Sequence, residues 1–436
     1  MHAKTSQRKP RLLMVTRALD VGGTERHLAQ IAPGLAARGF DVTVYCIAKT
    51  GAQVGDVEAS GIKVAGPAPY QQRLGKIGSA LTLASGALGL IPEMLLGRPD
   101  IAHFYLPHAF LAGSVAAAVT QVPVRIMSRR CQNLYQLKHP RLAEVERRLH
   151  GSMTAILGNS RNIVDELVMQ EGVPSPRAGL IYNGIDLAKF TGPFDRAALR
   201  GALGIENDAT VISILANLQS YKGHGDLVAA LARIKDRLPQ PWHLLAIGRD
   251  DGQLAGLRTQ AEALGIDANI HWLGLRRDTV DLLRASDLGV LASHQEGFSN
   301  AVIESMAAGL PMIVSDVGGN AEAVLHRRCG LVVPARDPDS LAAAIEELAG
   351  NQVLAAAMGR AGKMRALSHF SLDACLDKYE RMYRALLAGQ PLPDDIIATG
   401  LAGTPATAQP RGAGGTIPQP RPIREAHGSA AFAKSV

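Results

Sequence analysis

Aromatic side chains are scarce in this chain of 436 residues: Phe, Trp and Tyr together make up 4% of it. Single-stranded nucleic acid is bound by stacking bases on aromatic rings, so a large platform of that kind is excluded. The basic residues are spread along the chain and carry no recognition motif, so nucleic acid is not an expected partner. Cysteine is rarer still. Cys46, Cys131, Cys329 and Cys375 stand far apart without metal-ligand spacing, which reads as reduced thiols in the cytoplasm and not as a disulfide framework. The glycine fingerprints GxGxxG and GxxxxGK[ST] are also missing where a strand turns into a helix. The first residues, MHAKTSQRKPRLLMVTR, lack an apolar segment leading to a small-residue cleavage site, so no signal peptide is expected. The uncharged run 77–92, IGSALTLASGALGLIP, is short and rich in Gly and Ser. It reads as a packed helix and loop, or as a surface that meets lipid, more readily than as a membrane-crossing helix.

The length calls for two domains. Basic residues outnumber acidic ones 46 to 39, a net charge of +7, which suits a nucleoside diphosphate, an anionic membrane face or a polyanion without choosing among them. From residue 11 the pattern alternates. RLLMVT reads as a strand, DVGG as a turn, TERHLAQIAPGLAA as a helix with Leu28, Ile31 and Leu35 at helical spacing, and FDVTVYCIA as the next strand. IAHFY, VRIMS and TAILGNS continue the strands. A second series runs from ATVISILANL through WHLLAIG, NIHWLG, DLGVLAS and PMIVSD, with helical segments between. The expected fold is α/β, two consecutive parallel-sheet domains spanning 11–188 and 189–369. An amphipathic helix follows at 370–388, then a Pro- and Gly-rich tail at 391–436 read as disordered.

Ligands of open parallel sheets collect at the carboxyl ends of strands, which directs attention to four places. Gly22-Gly23 lies at such an end before a helix, where a backbone can approach an anion. Lys222, in QSYKGHG, can reach a phosphate as a point charge. The segment HQEGFSNAVIESMAAG places Glu296 in a loop and Glu304 on the first turns of the following helix. Ser299 or Asn300 caps that helix, and its free amides can hold a diphosphate. A lysine for phosphates, amides for a diphosphate and carboxylates for hydroxyls together describe a sugar-nucleotide pocket.

EGFSNAVIESMAAGLPMIVSDVGGNAE resembles the signature of the glycosyl transferases group 1, of the family-4 kind, whose GT-B fold sets two Rossmann-like domains face to face across a cleft. DVGGTERHLAQIAPGLAARGFDVTV, PDIAHFYLPHAFLAG, LIYNGIDLAKF, ANLQSYKGHGDLVAA and IHWLGLRRDTVDLLRASDLGVLAS extend the resemblance in order, from residue 11 to about 388. It implies a hexosyl- or related transferase using a UDP- or GDP-linked sugar, with retention and without a metal or other cofactor. Glu304 is then expected on the ribose, Glu296 on the donor sugar, and Lys222 on the diphosphate. Gly23 and the backbone of Gly297, Phe298, Ser299 and Asn300 are expected to assist Lys222. A histidine of the first domain is expected near the sugar; of His103 and His108, the position in the segment favours His108. The helix at 370–388 resembles the family's crossover helix, which completes the first domain. The acceptor is expected to be a saccharide or a lipid-linked sugar in cell-surface polysaccharide or glycolipid assembly, met at the cytoplasmic face of the membrane. One departure stands out. Where many relatives have an arginine five residues before the lysine, this chain has Asn217, which offers the diphosphate only neutral bonds, so either Lys222 and the helix amides suffice or Arg129, Arg130, Arg249 or another base compensates. Two alternatives remain open, a sugar-nucleotide epimerase of similar architecture and a non-catalytic nucleotide-binding relative.

Overall fold

The computed structural model describes residues 8–20, 22–68 and 75–397. The first sheet is built from β1 (Arg11–Thr16), β2 (Asp41–Cys46), β3 (Lys63–Ala65), β4 (Ile101–Tyr105), β5 (Val124–Arg129), β6 (Ala155–Gly158) and β7 (Ala178–Leu180). Its helices are α1 (Gly23–Ala37), α2 (Val54–Ala59), α3 (Gly75–Gly97), α4 (Leu106–Val119), α5 (Leu134–Lys138), α6 (Pro140–His150) and α7 (Arg161–Asp165). All strand pairs are parallel, in the order β3-β2-β1-β4-β5-β6-β7. The apolar run of β1 is continuous because both faces are covered. Leu12 and Met14 belong to the core on the α1 side, whereas Leu13 and Val15 belong to the core under α4.

The second sheet repeats the plan with β8 (Thr210–Leu215), β9 (Trp242–Ile247), β10 (Ile270–Gly274), β11 (Leu288–Leu291), β12 (Met312–Ser315) and β13 (Gly330–Val333), ordered β10-β9-β8-β11-β12-β13 and again parallel. Its helices are α8 (Arg196–Ala202), α9 (His224–Ile234), α10 (Leu254–Ala263), α11 (Thr279–Ala285), α12 (Asn300–Ala308), α13 (Asn320–Ala323), α14 (Pro338–Gly350) and α15 (Gln352–His369). Strand order reverses between β1 and β4 in one sheet and between β8 and β11 in the other. Those two switch points open the crevices where parallel sheets hold ligands. Gly22-Gly23, His108, Lys222 and Glu296 all follow these four strands.

After α15 the chain returns to the first sheet. The last helix, α16 (Leu372–Leu387), is capped by Ser371, whose hydroxyl accepts the Ala374 N–H at 3.2 Å. It buries Leu376, Tyr379, Met382, Tyr383 and Leu386 in the same core as Leu28, Ile31 and Leu35 of α1. At roughly 1.5–3 kcal/mol per buried large side chain, this contact is the reason the helix docks there. The two passages between the sheets run side by side: Ile185 N–H donates to Phe370 O at 2.9 Å and Leu372 N–H to Ile185 O at 2.8 Å.

The tail expectation requires a correction. Residues 391–397 are ordered against β7, with Leu392 and Ile396 buried, Leu180 N–H donating to Ile396 O at 2.8 Å, and Arg381 gripping Asp395. Two apolar plugs and a backbone bond fix a segment whose composition alone reads as loop. The expected disorder of 398–436 falls outside the described residues.

Candidate functional site

The loops after β8 and β11 face each other and are laced together. His294 N–H donates to Tyr221 O at 2.7 Å, and the His294 ring meets Asp226 at 2.7 Å. Lys222 ends a short 3-10 turn, and Gly223 reverses the chain into α9 at φ +73. A Cβ at Gly223 would lie 1.9 Å from Ala292 O, so only glycine lets the lysine loop close on β11. That closure brings Lys222 Nζ to 2.7 Å from Glu296 Oε1, and Ser293 Oγ donates to the same oxygen at 2.8 Å. Burial pulls the Lys222 ammonium down, but the Glu296 carboxylate beside it more than offsets this and holds its pKa above the ordinary value.

Ser299 precedes α12 in extended conformation and its side chain bonds no helix-start amide, so those N–H groups stay available to an anion. Asn300 Nδ2 donates to Gly23 O at 3.4 Å, bringing the glycine turn of the first domain over the start of this helix. Gly297 is pressed onto the first domain: a Cβ there would stand 2.4 Å from Arg130 O. Phe298 is buried against Tyr182 and Phe370, with ring centroids 4.9 and 5.2 Å away, which fixes the loop from below.

Glu304 follows on the second turn of α12, buried, with Oε1 3.4 Å from an Nη of Arg26 on α1. Burial raises its carboxyl above the usual range, against the pull of Arg26 and Lys189. A hollow of about 100 Å³ lies beside it, lined by Arg26, Asp186, Lys189, Arg277 and Glu304. A larger one, about 280 Å³, opens near Arg8, Arg11 and Asp41 at the opposite, amino ends of β1 and β2, away from these residues.

His103 and His108 sit in different environments. His103 is fully buried in β4, with Nδ1 2.7 Å from the Tyr383 hydroxyl and Nε2 2.7 Å from Ser128 Oγ; burial keeps it neutral, well below the ordinary histidine pKa. His108 is half-buried on the first turn of α4, and burial, then the Arg17 charge, lower its pKa. Of the compensating arginines, Arg129 is taken out of the cleft. It is buried with Glu146 and Glu171, bonding them at 2.5, 2.8 and 3.0 Å. Glu146, Glu171 and His150 are close enough to bind a metal ion together, but the guanidinium of Arg129 already bonds both carboxylates. Arg249 pairs with Asp251 at 2.7 Å, and its backbone N–H donates to Asn217 Oδ1 at 3.1 Å, so Asn217 acts here as a loop acceptor.

Comparison with known proteins bears on this arrangement directly. Residues 195–365 match the family described as glycosyl transferases group 1, and residues 21–189 match glycosyltransferase family 4. Together the two matches take in every strand of both sheets except β1. The chain belongs to these GT-B-fold glycosyltransferases. Among similar proteins, a D-inositol 3-phosphate glycosyltransferase of Jonesia denitrificans is 28% identical over 81% of this chain and 89% of its own. A glycogen synthase of Mycobacterium tuberculosis is 27% identical over 88% of this chain and 96% of its own. The Anabaena protein HepE, solved in complex with UDP, has 22% identity and a TM-score of 0.75 over 86% of this chain and all of its own.

Sequence reasoning missed three residues that tie the glycosyltransferase's domains together. Arg26 is one. Glu322 on α13 is another, accepting the Arg161 and Asn162 backbone N–H groups at 2.7 and 2.9 Å and the Tyr182 hydroxyl at 3.0 Å. Arg130 is the third in this respect: read only as a compensating base, it donates to Asn183 Oδ1 at 2.7 Å, while Asn183 Nδ2 donates to Phe298 O at 2.9 Å and to Asn300 Oδ1 at 2.6 Å. The motif YNGID marks the place of Asn183 but not its partners, of which Arg130 lies 53 residues away and Phe298 and Asn300 more than 100.

Proposed function

We propose that this glycosyltransferase draws on a nucleoside-diphosphate sugar, UDP- or GDP-linked, and passes the sugar with retention to a saccharide or lipid-linked acceptor in cell-surface polysaccharide or glycolipid assembly. The observation that carries it is the Lys222–Glu296 pair at the switch point of the second sheet, beside the open amides of α12 and opposite Gly23. Lys222 and those amides meet the diphosphate and stabilise the charge that grows on it as the glycosidic bond breaks. Glu296 accepts hydroxyl donors of the sugar, Glu304 those of the ribose, and His108 stands on the acceptor side. UDP bound to HepE favours a uridine donor here. An epimerase would consume donor without an acceptor, and a non-catalytic relative would bind without turnover.

The acceptor reading is supported by the outer surface of the first domain. Helix α3 from Ile77 to Gly97 is long and apolar enough to cross a membrane, yet it is held along one side by Leu90 and Met94 in the core and by the Tyr45 hydroxyl donating to Gly86 O at 2.8 Å. Its other side exposes Ile77, Leu88, Leu95 and Leu96, beside Val115 and Val119 of α4. An apolar face of this kind on a helix already packed on the domain supports a peripheral contact with a membrane surface.

The test is calorimetric titration of the full chain with UDP, GDP, ADP and CMP, without and with magnesium, followed by chromatographic analysis of UDP- and GDP-sugar consumption. Micromolar binding of one diphosphate, lost in Lys222→Ala, is expected. Silence toward all four would sink the donor pocket.

A further inference from the structure

We propose that Arg130 is a phosphoryl-binding residue, contributed to the cleft by the first domain. This deepens the sugar-nucleotide reading and rests on the cleft being the substrate site.

Two adjacent arginines end β5 and meet opposite fates. Arg129 is buried with two carboxylates on its guanidinium. Arg130 is 8% exposed and has none: among the described residues it forms no ion pair, its single side-chain hydrogen bond goes to the neutral amide oxygen of Asn183, and its Nε has no partner. Taking an ion out of water without a counter-ion is costly, and one neutral hydrogen bond does not offset it. Glu25, whose carboxyl feels the Arg130 charge, stays outside ion-pair distance, and its own burial pushes its pKa up in spite of that charge. Among the described residues no carboxylate lies within ion-pair distance of Arg130. His27, His103, Tyr105 and Tyr379 also feel the guanidinium, and all are held neutral by burial.

The position tells what is missing. The Arg130 carbonyl abuts Gly297, the residue that leads into the amides of α12. Through Asn183 the guanidinium is joined to Phe298 and Asn300 of the same loop. The fork is therefore tethered on one side, leaves Nε without a protein partner, and stands where the two domains converge on an anion. A guanidinium fits a phosphate bidentately. Asn217 leaves the second domain without an arginine before Lys222, and Arg130 supplies that charge from across the cleft. The phosphoryl group belongs either to the donor diphosphate or to a phosphorylated acceptor; the chemistry of recognition is the same.

The experiment compares the full chain with Arg130→Gln and Arg130→Lys, with melting temperatures taken first. Each protein is titrated with UDP, GDP, UMP and GMP, and with inorganic phosphate before and after saturation with the diphosphate. If the donor supplies the group, Arg130→Gln weakens diphosphate binding at least tenfold and leaves monophosphate binding within twofold. If the acceptor supplies it, diphosphate binding is unchanged, and phosphate binding to the saturated protein falls at least tenfold. In both cases Arg130→Lys falls between the wild type and the glutamine variant. Equal binding of every probe by Arg130→Gln and wild type overturns the proposal. So does a parallel loss of all probes with a lowered melting temperature in both variants, which marks a structural role. Should the wild type bind no diphosphate, the donor reading fails by itself, and phosphate binding to the unliganded proteins decides Arg130: tenfold tighter in wild type supports it, equality overturns it.

Discussion

Arg26, on the first turn of α1, reaches across the domain boundary to within 3.4 Å of the Glu304 carboxylate on α12. The ribose hydroxyls proposed to bind Glu304 therefore compete with a guanidinium of the same chain. Arg26 itself is 38% exposed, so solvent screens the pair and limits it to about 1 kcal/mol. Arg26→Ala is expected to tighten nucleoside diphosphate binding by up to about fivefold, measured by calorimetry at low salt, and to shrink the difference between low and high salt. Weaker binding would mean that Arg26 holds the nucleotide itself.

Lys222 and Glu296 are predicted to show strong coupling. Lys222→Ala leaves the partly buried Glu296 carboxylate unpaired beside the proposed diphosphate site, so binding is expected to suffer from repulsion as well as from the lost cation. Glu296→Gln is expected to keep diphosphate affinity within a few-fold while kcat falls by about 10²–10³, the range seen when one stabilising group at a developing charge is removed. The double variant is expected to bind diphosphate more tightly than Lys222→Ala alone. A cycle measured by titration would show additivity if the pair were independent.

Two buried histidines are expected to make the fold weaken as pH falls. Burial lowers His150 and His224 to about 4 in the folded protein. Between that value and the ordinary 6.5 the unfolded chain binds protons that the folded chain refuses, so stability falls as pH falls through this window and levels off below it. Each group accounts for roughly 3 kcal/mol over the full window. Urea midpoints are expected to drop steadily from pH 7 to pH 4.5, and less steeply in His150→Gln. A flat profile would show that these rings are protonated in the fold.

The apolar side of α3 gives a fourth test. Flotation with vesicles containing anionic lipid is expected to carry the wild-type chain upward and to leave Leu88→Glu/Leu96→Glu behind, with donor consumption in solution unchanged. Equal flotation of both proteins would remove α3 from the membrane contact.

The alternation of strands and helices was legible because each strand is a short apolar run ended by a turn, and β1 and α1 lie where RLLMVT and the Leu28–Ile31–Leu35 spacing put them. The helix that carries Glu304 was equally plain from its glycine stop, although Ser299, legible as its cap, bonds no helix-start amide. Less was visible at 330–369. There β13 is four residues long and α15 carries buried Ala and Gly where an apolar stripe is usual, so periodicity had little to report. Leu392 and Ile396 were hidden for another reason: two anchors in a proline-rich stretch acquire meaning only from the sheet edge they cover. Arg129 and Arg130 are the sharpest case. They are identical neighbours in sequence, and only long-range contacts decide that one is neutralised at Glu146 and Glu171 while the other waits without a carboxylate.

The side-by-side passages at Ile185 and Phe370–Leu372 form the seam along which the two halves would swing if they part. Asn183 lies two residues from that seam and bonds Phe298. A hollow of about 100 Å³ beside Glu304 is smaller than the several hundred cubic ångströms a nucleotide-sized ligand fills. If the ribose takes Glu304 as proposed, donor entry is expected to part Arg26 from that carboxylate.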